Sequence, residues 1–237
     1  MVLSIVTVCY NNSQGLSRTL ASVLPQKSCQ NFEHIIIDGG SIDGSADVIQ
    51  KYAENSSYDV KWVSERDFGI YNAMNKGIDM SQGDYIIFLN GGDYFANDFV
   101  IDLFCSNIGE YDLLSGYVIE DVSGQKIAFP EGHNPLISLL WHNLPHQALF
   151  IRKTLFFKIG HYSEDIKILS DYEFNIKAIK NHYRLKVINE QISFVEPNGI
   201  SSIPSQRMKE ECDIVQRRTF PKYLLFYKSV YNWIKAL

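Results

Sequence analysis

Four short apolar runs, each stopped by a polar or glycine-rich turn, most constrain what this chain can become. They are "LSIVTVCY" (3–10), "FEHIIIDGG" (32–40), "VKWVSE" (60–65) and "DYIIFLN" (84–90), and the first two are β-branched in character. Between them "LSRTLASVLPQ", "SADVIQKYAEN" and "IYNAMNKGIDMS" carry apolar residues at helical spacing. Strands and helices that alternate in this way predict a mostly parallel, doubly wound α/β sheet whose ligands gather at the strand C-termini.

After Asp93 the pattern loosens. "YDLLSGYVIEDVSGQKIAF" suggests two strands around a Ser-Gly turn and "HNPLISLLWHN" a short helix, while "HQALFIRKTLF" and "SDYEFNIKAIKNH" give another strand and another helix. No repeat, low-complexity segment or composition shift marks a linker before about residue 200, so residues 1–204 are expected to form one domain. The remainder, 205–237, reads as a helical C-terminal tail. From Arg217 onward it holds five basic residues, no acid and many aromatics. Such a helix can lie on an anionic membrane surface or pack back on the domain.

A net charge of -5 and a pI near 5.7 supply no basic field for nucleic acid. The four cysteines show no CxxC pair and no zinc spacing, which fits reduced thiols in a cytoplasmic protein. The opening "MVLSIVTVCYNN" lacks the basic region and apolar length of a signal peptide or membrane span.

Several polar residues stand where the sheet would deliver them. Asn90, Gly91, Gly92 and Asp93 follow the fourth run, either as a simple turn with Asp93 as a helix N-cap or as a phosphate and metal site with one carboxylate. Asp38 sits just past a buried strand, placed to accept hydrogen bonds from a ligand or to cap a turn, a role Asp43 could share. Arg66 and Asp67 precede a helix that carries Asn75 and Lys76 two turns in, so one face could offer a cation and an amide to a diphosphate. Asp171 opens a helix in "SDYEF" and is a candidate general base or an N-cap, with Glu173 as its substitute. His146 and Gln147 stand at the entry to a strand, and the other five histidines form no cluster with His146.

Taken in order, "SIVTVCYN", "IIIDGGSIDGS", "SERDFGIYNAMNKGI", "GDYIIFLNGGD", "HQALFIRK" and "SDYEF" resemble the family 2 glycosyltransferases of GT-A fold, in the branch that builds bacterial surface polysaccharides. The resemblance spans about residues 3 to 175. It implies a nucleotide-sugar-binding half (about 1–100) and an acceptor half (about 101–204). It further implies a uracil or ribose contact for Asp38, with Thr7 and Tyr10 completing the base pocket, and base or pyrophosphate contacts from Arg66, Asp67 and Lys76. Relatives end the fourth strand in Asp-x-Asp-Asp; here Asn90 and Gly91 would face the sugar or ribose. Asp93 would hold Mg²⁺ or Mn²⁺, with His146 in the metal or diphosphate neighbourhood. Asp171 matches the family's base.

The implied activity is inverting transfer of a hexose or N-acetylhexosamine from a UDP-sugar to a glycan hydroxyl, the acceptor being free or lipid-linked. A lipid-linked acceptor would give residues 217–237 a peripheral contact with the inner membrane face. Two other classes fit less well. A nucleotidyltransferase would carry a Gly-rich phosphate loop with Lys or Arg near its first strand, which "YNNSQGLSR" matches poorly, and a non-catalytic nucleotide-sugar binder would suit the thinned acidic motif.

Overall fold

The computed structural model describes residues 2–26, 31–197 and 205–235. Its first part runs β1 (Leu3–Cys9), α1 (Ser13–Val23), β2 (Phe32–Asp38), α2 (Ser45–Asn55), β3 (Asp59–Ser64), α3 (Ile70–Met80) and β4 (Tyr85–Phe88). β1 pairs in parallel with β2 and β4, and β2 with β3. Every residue of β1, β2 and β4 is buried, because helices cover both faces of a parallel sheet and leave no alternation in its strands. Asn12 starts α1 by accepting from Gly15 N–H at 3.0 Å, the bond an Asn N-cap makes.

The chain continues with β5 (Tyr94–Phe95), α4 (Val100–Asn107), β6 (Leu113–Glu120), β7 (Lys126–Ala128), α5 (Pro135–Ser138), β8 (Leu149–Arg152), α6 (Thr154–Ile159), α7 (Ser170–Lys180), β9 (Leu185–Val195), α8 (Gln206–Thr219) and α9 (Lys222–Lys235). Among the described residues one sheet runs β3-β2-β1-β4-β8-β6-β9-β5, with β7 paired to β6. β8 is antiparallel to both β4 and β6, so its entry lies beside the end of β4. That crossing brings a 3-10 turn, His146–Ala148, up against the Asn90–Asp93 segment.

α4 and β9 are among the elements that exceed the sequence expectations. α4 starts without a side-chain cap, so nothing local announces it. β9 is half exposed, carries Asn189, Glu190 and Gln191, and shifts register against β6, so its pattern is neither alternating nor continuous. "HQALFIRKTLF" divides into the 3-10 turn, a four-residue strand and α6 rather than one strand. The C-terminal helices pack on the domain: Val215, Phe220 and Leu224 share a core cluster with Val6, Phe88 and Tyr172.

Candidate active site

The Asn90–Asp93 segment is fixed from several directions. Leu89 and Gly91 N–H continue the sheet by donating to Val6 and Val8 carbonyls at 2.9 Å. Thr19 on α1 accepts from Gly92 N–H at 2.9 Å and donates to Asp93 O at 2.6 Å. Gly91 packs so closely that an added Cβ would stand 2.9 Å from Cys9 Cβ, and Gly92 adopts φ 115° with the Glu196 carboxylate where its own Cβ would be. Glu196, just past β9, also accepts from Asn12 at 3.2 Å and pairs with Arg18 at 3.3 Å; Arg18 in turn pairs with Asp121 at 2.7 Å. A carboxylate thus reaches Gly92, one of the two places where this chain lacks an acid of the Asp-x-Asp-Asp pattern, from the end of a strand about a hundred residues further along the chain.

Asp93 is buried, its Oδ1 accepting from Glu196 N–H at 3.0 Å and its Oδ2 from the Gln147 amide at 3.1 Å. Burial pushes its pKa up, against these hydrogen bonds and the nearby His146.

Asp171 lies in the first turn of α7, where the helix N-terminus favours a negative charge. It is also buried. Its Oδ1 accepts from the Tyr71 hydroxyl at 2.8 Å, a proton shared with Ile168 O at 2.7 Å. Its Oδ2 accepts from Asn143 at 2.9 Å and lies 3.6 Å from His146 Nδ1. Burial raises its pKa, but His146, Tyr71 and the Tyr172 N–H outweigh burial and hold it below the ordinary carboxylate value. Two buried carboxylates in one neighbourhood are therefore shifted in opposite senses, Asp93 up and Asp171 down, which separates their roles.

His146 joins them. Its Nε2 lies 3.0 Å from Asn90 Nδ2 while its Nδ1 faces Asp171, so both ring nitrogens meet protein partners. Asn90 Oδ1 is a buried atom without a hydrogen-bond partner.

The nucleotide-side residues divide. Tyr10 is 65% exposed, and the Asp67 carboxylate closes on Gly39 so that an added Cβ there would lie 2.5 Å from Asp67 Oδ2 and 3.2 Å from the Tyr10 ring. Tyr10, Gly39 and Asp67 thus form a notch at the β1 and β2 ends, with Asp67 fixed by accepting from Gly69 N–H at 2.9 Å. Thr7 and Asp38 spend their polar atoms on partners inside the protein. Thr7 is fully buried, donating to Leu89 O at 2.8 Å and lying 2.9 Å from His34 Nε2. His34 is itself fully buried, and burial drives its pKa down to about 3. Asp38 is fully buried and takes the turn-capping alternative, accepting from the Ser41 N–H at 3.0 Å and the hydroxyls of Ser41 and Ser64. Lys76 pairs with Glu65 at 2.6 Å and braces the loop before α3, and Arg66 is exposed in that loop.

Sequence reasoning missed Tyr71, Asn143 and Glu211. Glu211, on α8, accepts from the N–H groups of Lys167 at 3.0 Å, Ile168 at 2.7 Å and Leu169 at 3.2 Å, the three residues that lead into α7. Burial raises its pKa, but these backbone bonds and Arg207 lower it further. Glu211 thereby positions the helix start that carries Asp171.

Among the described residues no three His, Cys, Asp or Glu side chains converge as a ligand set. What is present fits a cation that arrives with a diphosphate: the carboxylate of Asp93 and the unpartnered amide oxygen of Asn90. Mg²⁺ keeps several waters and takes one or two carboxylates plus substrate phosphate oxygens.

The fold, a curled and mostly parallel sheet flanked by helices, is that of the GT-A glycosyltransferases. The fold is similar to that of S. aureus TarS solved with UDP-GlcNAc (TM-score 0.72, 19% identity, 91% of this chain and 65% of that one). It also matches a mannosyltransferase from Pyrobaculum calidifontis solved with GDP-Man and Mn²⁺ (TM-score 0.66, 13% identity, 86% and 57%). The chain spans less than two thirds of both solved chains. Its residues 4–157 match the profile of glycosyl transferase family 2, and it belongs to that family. A PGL/p-HBAD biosynthesis glycosyltransferase of Mycobacterium bovis (strain BCG / Pasteur 1173P2) is 29% identical over 250 residues, 98% of this chain and 97% of its own. An uncharacterized glycosyltransferase of Mycobacterium tuberculosis (strain ATCC 25618 / H37Rv) is 34% identical over 181 residues, covering 74% and 68%.

Proposed function

We propose that the protein is an inverting, metal-dependent glycosyltransferase. It moves a hexose or N-acetylhexosamine from a UDP-sugar to a hydroxyl of a glycan acceptor, lipid-linked, in the building of a bacterial surface polysaccharide. The observation that carries this is Asp171: a buried carboxylate held below its ordinary pKa, at a helix start, linked through His146 to the strand-end motif. The UDP-GlcNAc complex of TarS supports the donor class.

Asp171 takes the acceptor proton as that oxygen bonds to the anomeric carbon, while the bond from that carbon to the UDP oxygen breaks and UDP leaves. No covalent enzyme intermediate is needed. Tyr10 and Asp67 receive the base in the notch at Gly39, with Asp67 offering an acceptor to an imide N–H; Arg66 and Lys76 give positive charge on the pyrophosphate side. Asn90 and Gly91 line the sugar or ribose. Asp93 and Asn90, with His146 at the border, would hold Mg²⁺ or Mn²⁺, and the bound ion would supply countercharge for a leaving diphosphate. Among the described residues no helix is long and apolar enough to cross a membrane, and the proposed location is cytoplasmic, peripheral at the inner membrane face through residues 217–237.

The test is a thermal-shift screen of UDP-sugars followed by UDP release with Mn²⁺. A donor at a hundred times its dissociation constant adds roughly 2.7 kcal/mol of stability. Asp93→Ala should abolish the response of turnover to Mn²⁺. Binding without any UDP release across acceptors would instead mark a nucleotide-sugar binder.

A further inference from the structure

α9 is fastened to the domain by one side only. Leu224 is buried, Leu225 packs on the core, and Lys228 donates to Gln216 at 2.9 Å. The rest of its surface is aromatic and open: Tyr223, Phe226, Tyr227, Tyr231, Trp233 and Ile234 are 46 to 72% exposed. At 100° per residue these six fall within an arc of roughly 160°. Lys222 and Lys235 border that arc, one on each side. Trp141, just after α5, extends the same surface, its ring 6.1 Å from Tyr227 and 5.2 Å from Tyr231.

Folding does not need this face, and its chemistry selects an occupant. Residues 217–237 contain five basic groups and no acid in a chain whose net charge is -5; Arg218 is paired with Asp165 at 2.9 Å, and Lys222 and Lys235 leave the helix locally positive. A second copy of α9 would bring like charges together. Tyr and Trp between flanking lysines suit the interface of a bilayer, where aromatic rings sit at headgroup depth and lysines reach anionic phosphates. Fourteen residues of helix measure about 21 Å, shorter than the roughly 30 Å of a hydrocarbon core, so the helix lies on the surface rather than across it.

We infer that the aromatic face of α9, continued by Trp141, docks on an anionic lipid bilayer. The consequence concerns the acceptor. Trp141 is two residues from Asn143, whose amide donates to Asp171, so a docked bilayer brings lipid headgroups to the chain segment that holds the base. This rests on the glycosyltransferase reading for its purpose, and it names the acceptor class as a saccharide carried on a lipid.

The experiment uses the full chain with vesicles of phosphatidylcholine alone or mixed with phosphatidylglycerol. Sedimentation is expected with the mixed vesicles at low salt and to fall about tenfold for both Phe226→Ala/Trp233→Ala and Lys222→Glu/Lys235→Glu, with melting temperatures unchanged. The chain's three tryptophans then report orientation. In single-tryptophan variants made by Trp→Phe exchange, brominated lipid should quench Trp233 and Trp141 and spare Trp62, which lies on β3, an edge strand of the sheet. Equal binding to neutral vesicles, wild-type binding by the charge-reversed variant, or quenching of Trp62 alone would overturn the inference. So would a dimer in light scattering that the Phe226/Trp233 variant dissolves while vesicles bind neither form. The donor thermal shift needs no vesicles, so loss of that shift would strike the proposed function and leave the docking result standing.

Discussion

Asp38 and Asp171 are both buried carboxylates with both oxygens hydrogen-bonded, and they sit in regions that satisfy them differently. Around Asp38 the donors are local or on the adjoining strand: Ser41 in its own turn and Ser64 at the end of β3. Around Asp171 they come from α3, from the segment after α5 and from the 3-10 turn, with the preceding loop held by Glu211 on α8. The first arrangement closes a turn, while the second gathers distant parts of the chain on one oxygen pair. Burial and satisfied hydrogen bonds alone therefore do not distinguish the two carboxylates; the span of chain assembled around each does.

The comparison can be broken most sharply at Asp171. Asn keeps its size and its capping ability but takes no proton, so Asp171→Asn should lower kcat by about 10² to 10⁴. Next in size is Glu211→Gln. Replacing one oxygen by an amide NH₂ leaves at least one of the three N–H groups without its acceptor, and kcat should fall about tenfold with a smaller change in UDP affinity, since Asp67 in the notch is fixed by its own bond from Gly69 N–H. Equal losses in kcat and UDP affinity would reduce Glu211 to a stabilising contact.

Tyr71→Phe should act less on rate and more on pH dependence. Tyr71 donates to the ionised form of Asp171 and helps hold its pKa low; without it the folded value rises toward the ordinary 3.9 or so. The acid limb of kcat/KM should move to higher pH, with kcat near neutral pH changing only about twofold to fivefold. Stability follows the same sign. A depressed folded pKa stabilises above the unfolded value and that stability is lost as pH falls through the folded one, so the variant should lose it at higher pH. The smallest effect on turnover belongs to Asp38→Asn. It should cost about 1–3 kcal/mol of stability by leaving a turn donor unpaired, with turnover per folded molecule unchanged. A variant that keeps its melting temperature and loses UDP binding would return Asp38 to the base pocket.

The first hundred residues were legible because apolar runs and helical spacing repeat without interruption up to Phe88. The direction of side chains there was not. β1 is buried on both faces, so nothing in its pattern says that Thr7 points to His34. Asp38 stands in a segment that reads equally as a ligand site and a capped turn. On the other side, Asp171 was legible as an acid at a helix start, yet Tyr71 lies 100 residues from it and Glu211 reaches its loop from 42 to 44 residues away. Contacts at such separations leave no local pattern. The same holds for Glu196, which fills the space at Gly92 from the end of a strand too irregular to be recognised. The end of the tail was legible as a basic aromatic helix, but α8, the tail's first helix, carries the group that positions the helix start of Asp171.

The central claim is that Asp171 performs chemistry while Asp38 holds a turn, and titrating UDP into folded Asp171→Asn by calorimetry tests it most directly. The account predicts a dissociation constant within about twofold of wild type in a protein whose turnover has dropped by about 10² to 10⁴. A variant that loses UDP binding in proportion to its turnover, or one that turns over at the wild-type rate, would contradict it.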